Sequence, residues 1–123
     1  MNDPLLLLTM GDVCGIGPEI LAKLFRRPEA AGCVVVGDVA VMRRAVALTG
    51  GALAVAHVEM PADRVPPNCL PVLQVEGLPA DLMDAPLGHV DARAGVAAAA
   101  CITRAVEIVL AGEAAGIVTA PLH

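Results

Sequence analysis

Aromatic side chains are almost missing from this chain: Phe25 is the one phenylalanine among 123 residues, and there is no tryptophan or tyrosine. Surfaces that hold single-stranded nucleic acid stack bases on aromatics and carry a positive field. Here Lys and Arg number 8 against 13 Asp and Glu, a net charge of −5. A nucleic-acid partner is therefore not expected. Charge of either sign is scarce, at 17% of residues, which is lean for a free-standing soluble domain. Long apolar runs are missing too. The nearest, residues 94–111, is broken by Arg104 and Glu107, so no membrane span is expected. Asp3 stands where a secretory leader needs basic residues, and the apolar run behind it is only four leucines. Cys14, Cys33, Cys69 and Cys101 are widely spaced with no C-x-x-C. Reduced thiols in the cytoplasm are the expectation. His57, His89 and His123 have no metal-ligand spacing between them, and structural or solvent roles are expected for His57 and His89. There is no Gly-Lys-Ser/Thr, so a P-loop is excluded.

What is abundant is apolar material, 57% of the chain, and it alternates in kind. Residues 5–9 read as a buried strand, being a continuous apolar run that ends at a turn signal. A helix is expected from Pro18 to Arg26 or Arg27, with Ile20, Leu21, Leu24 and Phe25 as its apolar stripe and Pro28 as its stop. Its basic end suits the helix dipole, the alternative being that Arg26 and Arg27 bind a phosphate. Residues 33–37 form a second strand. Asp38 caps a helix over residues 39–49, which Gly50-Gly51 ends, and Arg43 and Arg44 are taken as its solvated face. Asp38 also admits a dinucleotide reading, lying about 20 residues past a glycine turn at a strand end. Residues 53–58 and 70–75 read as strands, the latter at a sheet edge because it contains Pro71. Residues 76–91 are an irregular connection. The alanine-rich stretch from Asp91 or Ala92 to Ala111 is helical. Val96, Ala99, Ile102, Thr103, Val106, Val109 and Leu110 fall on one side and Arg93, Ala97, Arg104 and Glu107 on the other, and the small Gly95, Ala98 and Ala99 permit close packing, so a sandwiched helix is expected. Residues 116–119 are a last strand. Strand and helix alternate, so an α/β fold with an open, mostly parallel sheet flanked by helices is expected, without repeats or an internal domain boundary.

The chemistry concentrates in residues 9–20, Thr-Met-Gly-Asp-Val-Cys-Gly-Ile-Gly-Pro-Glu-Ile. Gly11, Gly15 and Gly17 lie between a strand and a helix, where the backbone can turn sharply and its amides can approach an anion. Pro18 fits the first helical position and Glu19 complements the dipole. Ile20 stands where the third glycine of a G-x-G-x-x-G fingerprint belongs, and Pro18 lacks a donor, so this is not a standard nucleotide motif. Asp12 either approaches a ligand or bonds backbone amides inside the turn. Ligands of open α/β sheets gather beyond the carboxyl ends of strands. If the first and last strands are neighbours, Asp12 and His123 open into one crevice, while Thr119 and Pro121 shape the turn after the last strand.

The run Thr-x-Gly-Asp-x-x-Gly-Ile-Gly-Pro-Glu-Ile resembles the N-terminal signature of the 4-hydroxythreonine-4-phosphate dehydrogenases of pyridoxal phosphate biosynthesis and their threonate and erythronate phosphate relatives. Residues 34–38, Val-Val-Val-Gly-Asp, and 116–123, Gly-Ile-Val-Thr-Ala-Pro-Leu-His, are similar to that family's second strand and to its Thr-Ala/Gly-Pro strand end. Val13-Cys14 departs from the Pro-Ala usual there. The shorter Gly-Asp-Gly-Ile-Gly-Pro-Glu of isocitrate and isopropylmalate dehydrogenases is a more distant likeness and implies a fold of that kind. The resemblance implies NAD- or NADP-dependent oxidation of a phosphorylated four-carbon hydroxy acid to a 3-oxo acid that loses carbon dioxide. It implies a divalent metal (zinc, magnesium or cobalt), a homodimer, and a two-domain enzyme of which residues 1–123 are the N-terminal part. Metal ligands and catalytic residues are then expected outside this chain, which contributes Gly11, Asp12, Gly15, Gly17, Thr119 and His123 to a substrate and cofactor cleft. Two other classes fit the residues: an α/β module that holds a phosphate or nucleotide without chemistry, and an assembly role for the apolar surplus.

Overall fold

The computed structural model describes residues 4–120. There are five strands, β1 (Leu6–Thr9), β2 (Cys33–Gly37), β3 (Ala54–Val58), β4 (Cys69–Gln74) and β5 (Gly116–Thr119), and three α-helices, α1 (Gly17–Leu24), α2 (Val39–Leu48) and α3 (Ala92–Leu110), which alternate except where a loop joins β3 to β4. The strands form one sheet in the order β3-β4-β2-β1-β5, and every pairing is parallel. The expected α/β architecture is therefore present. Buried β1, β2 and β4 read as continuous apolar runs because parallel strands are covered on both faces. Their Leu7, Val35, Val36, Leu70 and Val72 are completely buried. Asp38 caps α2 as expected, its Oδ2 accepting from the Val41 N–H at 3.0 Å.

Three expectations fail for identifiable reasons. β4 is not an edge strand; it lies between β3 and β2. Along a parallel strand, successive N–H groups point to opposite neighbours. The Val75 N–H donates to Gly37 of β2, while Ala54 of β3 bonds to Asn68, so odd-numbered residues of β4 face β2. The ladder to β2 begins at Val72. The missing N–H of Pro71 therefore falls just outside it, where no ladder bond is lost. α1 is also shorter than expected, ending at Leu24. Arg26 and Arg27 continue only as single turn-type bonds, and Pro28–Ala30 forms a separate 3-10 turn.

The third failure concerns α3. Its buried face is Ala94, Ala97, Ala98, Cys101, Ala105 and Ile108, a spacing of three, one, three, four and three. Ala97, assigned to the outer side, is fully buried, whereas Val96, Val106 and Leu110 are 56, 40 and 82% exposed. In an alanine-rich helix, bulk is a poor guide to the core face. The small residues face inward so that the helix axis can approach β1, β2 and β5, against which α3 packs. Val96, Val106 and Leu110 are turned outward, and Ile108 is the one large side chain of the buried face. Ile108→Ala is accordingly expected to cost about 2–5 kcal/mol, while Leu110→Ala changes stability by less than about 0.5 kcal/mol; urea denaturation of the two variants measures both.

Candidate functional site

β1 leaves for β2 on one side, and β5 arrives on the other, with Thr9 of β1 opposite Thr119 of β5. This is the point where strand order reverses, and the crevice beyond it is where an open parallel sheet accepts ligands. The sequence condition for a shared crevice, adjacency of the first and last strands, is thus met. Thr119 is exposed; His123, like Pro121, lies outside the described residues. At the same strand end the hydroxyl of Thr9 is fully buried and has no hydrogen-bond partner among the described residues.

The three glycines of the turn do different work. Gly11 has φ +70°, a conformation that side-chain-bearing residues rarely adopt. Gly17 opens α1 directly against the end of β1: a Cβ there would lie 2.5 Å from the Met10 carbonyl oxygen and 3.1 Å from the Ala120 Cβ. Gly15 has neither constraint, since a Cβ would meet only ordinary contacts at 3.5–3.6 Å from Asp12. Asp12 shapes the turn from within. Its Oδ1 accepts from the Cys14 N–H at 2.9 Å, and its carbonyl accepts from the Gly15 N–H at 3.0 Å. Ile16, which precedes α1, is exposed, and no side chain caps its helix start. At the neighbouring strand end, Met10 is buried over Gly37, and its Sδ accepts from the Asp38 N–H at 3.3 Å.

Asp38 itself is fully engaged. Besides Val41, it accepts through Oδ1 from the Gln74 amide at 2.8 Å, and Gln74 in turn accepts from the Val39 N–H at 2.8 Å. Both carboxylate oxygens thus accept within the chain, as the helix-cap reading of Asp38 expects. Among the described residues, no group of three or more His, Cys, Asp and Glu side chains is placed to hold a metal ion. His57 and His89 are exposed.

The long connection between β4 and α3 is fastened to the turn, which its irregular sequence did not indicate. The Gly88 N–H donates to the Cys14 carbonyl at 2.7 Å. Arg44, expected on a solvated face, instead reaches from α2 to donate to the carbonyls of Val13 at 3.3 Å and Met83 at 3.4 Å. It sits three residues past Val41 and four before Leu48 on the helix, beside the turn, and that spacing is the only sequence signal for it. A second clamp closes the other end. Arg93 of α3 bonds Asp91 at 2.9 Å and Asp81 at 3.0 Å, and Asp91 also caps α3 by accepting from the Arg93 N–H. Between turn and α3 runs an apolar groove, floored by Ala94, Gly95, Ala98 and Ile102 and closed by Asp12 and Asp91. Its carboxylates suit a hydrogen-bond donor better than a bare anion. Cys14 is buried in the turn. Burial first, then the charges of Asp12 and Asp91, pushes its thiol above the usual range, which disfavours the reactive thiolate.

Hydrogen bonds from the Arg93 side chain and backbone hold the Asp91 carboxyl down to about 2. Its unfolded value is about 3.9, so the stabilisation is full above about pH 4 and is lost as pH falls through the folded value. Asp91→Asn should lower the melting temperature at pH 7 and match the wild type near pH 2, as followed by circular dichroism. For the turn, Gly17→Ala is expected to cost more than about 2 kcal/mol and Gly15→Ala less than about 0.5 kcal/mol, measured by urea denaturation.

Comparison with known proteins adds a family to this geometry. The chain is 39% identical over 128 residues to a 4-hydroxythreonine-4-phosphate dehydrogenase of Beijerinckia indica, covering 100% of this chain and 36% of that one. It is 38% identical over 126 residues to a D-threonate 4-phosphate dehydrogenase of Bordetella bronchiseptica, covering 98% of this chain and 35% of the relative. The crystal structure of a 4-hydroxythreonine-4-phosphate dehydrogenase from Burkholderia phymatum superposes with a TM-score of 0.89 at 31% identity, over 100% of this chain and 38% of that one. The chain thus spans little more than a third of the length of these proteins. Residues 29–123 match the sequence model of the family described as pyridoxal phosphate biosynthetic protein PdxA. With most of its length matched, and with a parallel sheet that follows the solved relatives, the chain belongs to the PdxA family.

Proposed function

We propose that the protein carrying this chain is an oxidoreductase that oxidises a secondary hydroxyl of a phosphorylated four-carbon hydroxy acid, either 4-phosphohydroxy-L-threonine or D-threonate 4-phosphate. Relatives named for both substrates match at nearly equal identity. The observation that carries the reading is the parallel pairing of β1 with β5, which opens the 11–17 turn and the end of β5 onto one crevice in a chain of this family. NAD or NADP is the proposed hydride acceptor, and a divalent metal (zinc, magnesium or cobalt) the proposed Lewis acid. The resemblance motivates both.

The described residues do not fit a metal by themselves. What this chain supplies is one wall. Gly11 and Gly17 let the backbone bend tightly at the mouth of β1. Asp12 holds that bend, and the flank of α3 lines an apolar groove beside it. On this reading the reacting groups and metal ligands are contributed by residues outside this chain, in a cytoplasmic homodimer.

The test supplies the purified protein with each phosphorylated acid, with NAD or NADP, and with zinc, magnesium, cobalt or a chelator, and follows reduced nicotinamide at 340 nm. Turnover of one acid that chelation abolishes is expected, whereas residues 1–123 alone are expected to be inactive. Tight calorimetric binding of phosphate or nucleotide by residues 1–123, with no turnover by the longer protein, favours a binding module instead.

A further inference from the structure

The opposite end of the sheet, at the amino ends of β1, β2 and β4, holds a cavity of about 560 Å³, within the size range of small-molecule sites. Leu5, Phe25 and Val34 give it an apolar floor. Its walls are restrained: Pro28, Pro61, Pro66 and Pro67 line it, each with φ fixed by its ring. Asn68, also in the lining, holds φ +62°. The Asp63 carboxylate, part of the same rim, accepts from the Glu59 and Met60 N–H groups at 3.1 and 3.0 Å. A wall ordered beforehand loses little freedom when a ligand enters.

The charged lining of this mouth is two arginines and one aspartate, in a chain whose net charge is −5. Of the 8 basic residues, Arg26, Arg44, Arg93 and Arg104 donate to groups within the chain. Two of the remaining four, Arg27 and Arg64, line this cavity. Among the described residues neither forms a salt bridge. Guanidinium forks match carboxylate and phosphate oxygens. The geometry points to a binding site for a small organic anion, its carboxylate or phosphate held by Arg27 and Arg64 and its apolar body against Phe25, Leu5 and Val34. The site is separated from the crevice by the length of the strands and is independent of any dehydrogenase activity.

Cys33 and Cys69 line the same cavity and are half-buried, whereas Cys14 and Cys101 are buried elsewhere; the first two are built-in reporters. Iodoacetamide labelling of each thiol, read by peptide mass spectrometry, is compared without additive and with millimolar phenyl phosphate, benzoate, inorganic phosphate or benzyl alcohol. Phenyl phosphate or benzoate should slow labelling of Cys33 and Cys69 by about fivefold or more, in proportion to occupancy. The protection should disappear in R27Q/R64Q, whose substitutions are at exposed positions and leave the fold intact. Three results overturn the proposal: no protection by either organic anion, equal protection by benzyl alcohol or inorganic phosphate, or protection that survives in R27Q/R64Q. Turnover plays no part in the readout, so failure of the dehydrogenase assignment leaves this result unaffected.

Discussion

One close approach organises the carboxyl end of this sheet: α1 starts where a side chain at Gly17 would overlap the carbonyl oxygen of Met10. Helix and strand can meet this tightly only without a Cβ between them. From that contact the other features follow. The turn has seven residues, 11–17, in which to reverse, so Gly11 adopts a left-handed conformation and Asp12 fills the amides of the bend. The buried Met10 is pressed against Gly37, which ties the end of β1 to the end of β2.

The turn anchors Val13 and Cys14 in the core, and its shape is completed by groups distant in sequence. Arg44 from α2 and Gly88 from the long connection bond two consecutive carbonyls of the turn, those of Val13 and Cys14. Arg93 then fixes that connection to the start of α3. These bonds are partly exposed and individually modest; their effect is to hold the turn, the connection and the α3 groove in one arrangement.

The polar residues of the strand ends divide by what they already bond. Asp38 and Gln74 satisfy one another and the first turn of α2, so the β2 end is closed. Asp12 has one oxygen engaged and borders the groove, and the β1 end stays open. The same residue type at two strand ends thus serves a helix in one place and a cleft wall in the other. Neighbours decide which.

Much was legible in the residues alone. The apolar runs of β1 and β2, the cap at Asp38, the stop at Gly50-Gly51 and the span of α3 are local matters of φ, hydrogen-bond donors and periodicity, which each segment carries within itself. So too was the glycine turn, and with it the family. What the sequence could not decide was anything set by a partner far along the chain. Which side of α3 faces the sheet depends on how closely the helix must approach, not on which side is bulkier. Whether Pro71 interrupts a ladder depends on register with β2. Whether Arg44 faces water or the turn depends on where the 76–91 connection returns. Local sequence determined the elements and their ends, because backbone sterics act over a few residues; tertiary structure alone decided faces, neighbours and clamps, because these are properties of pairs of segments.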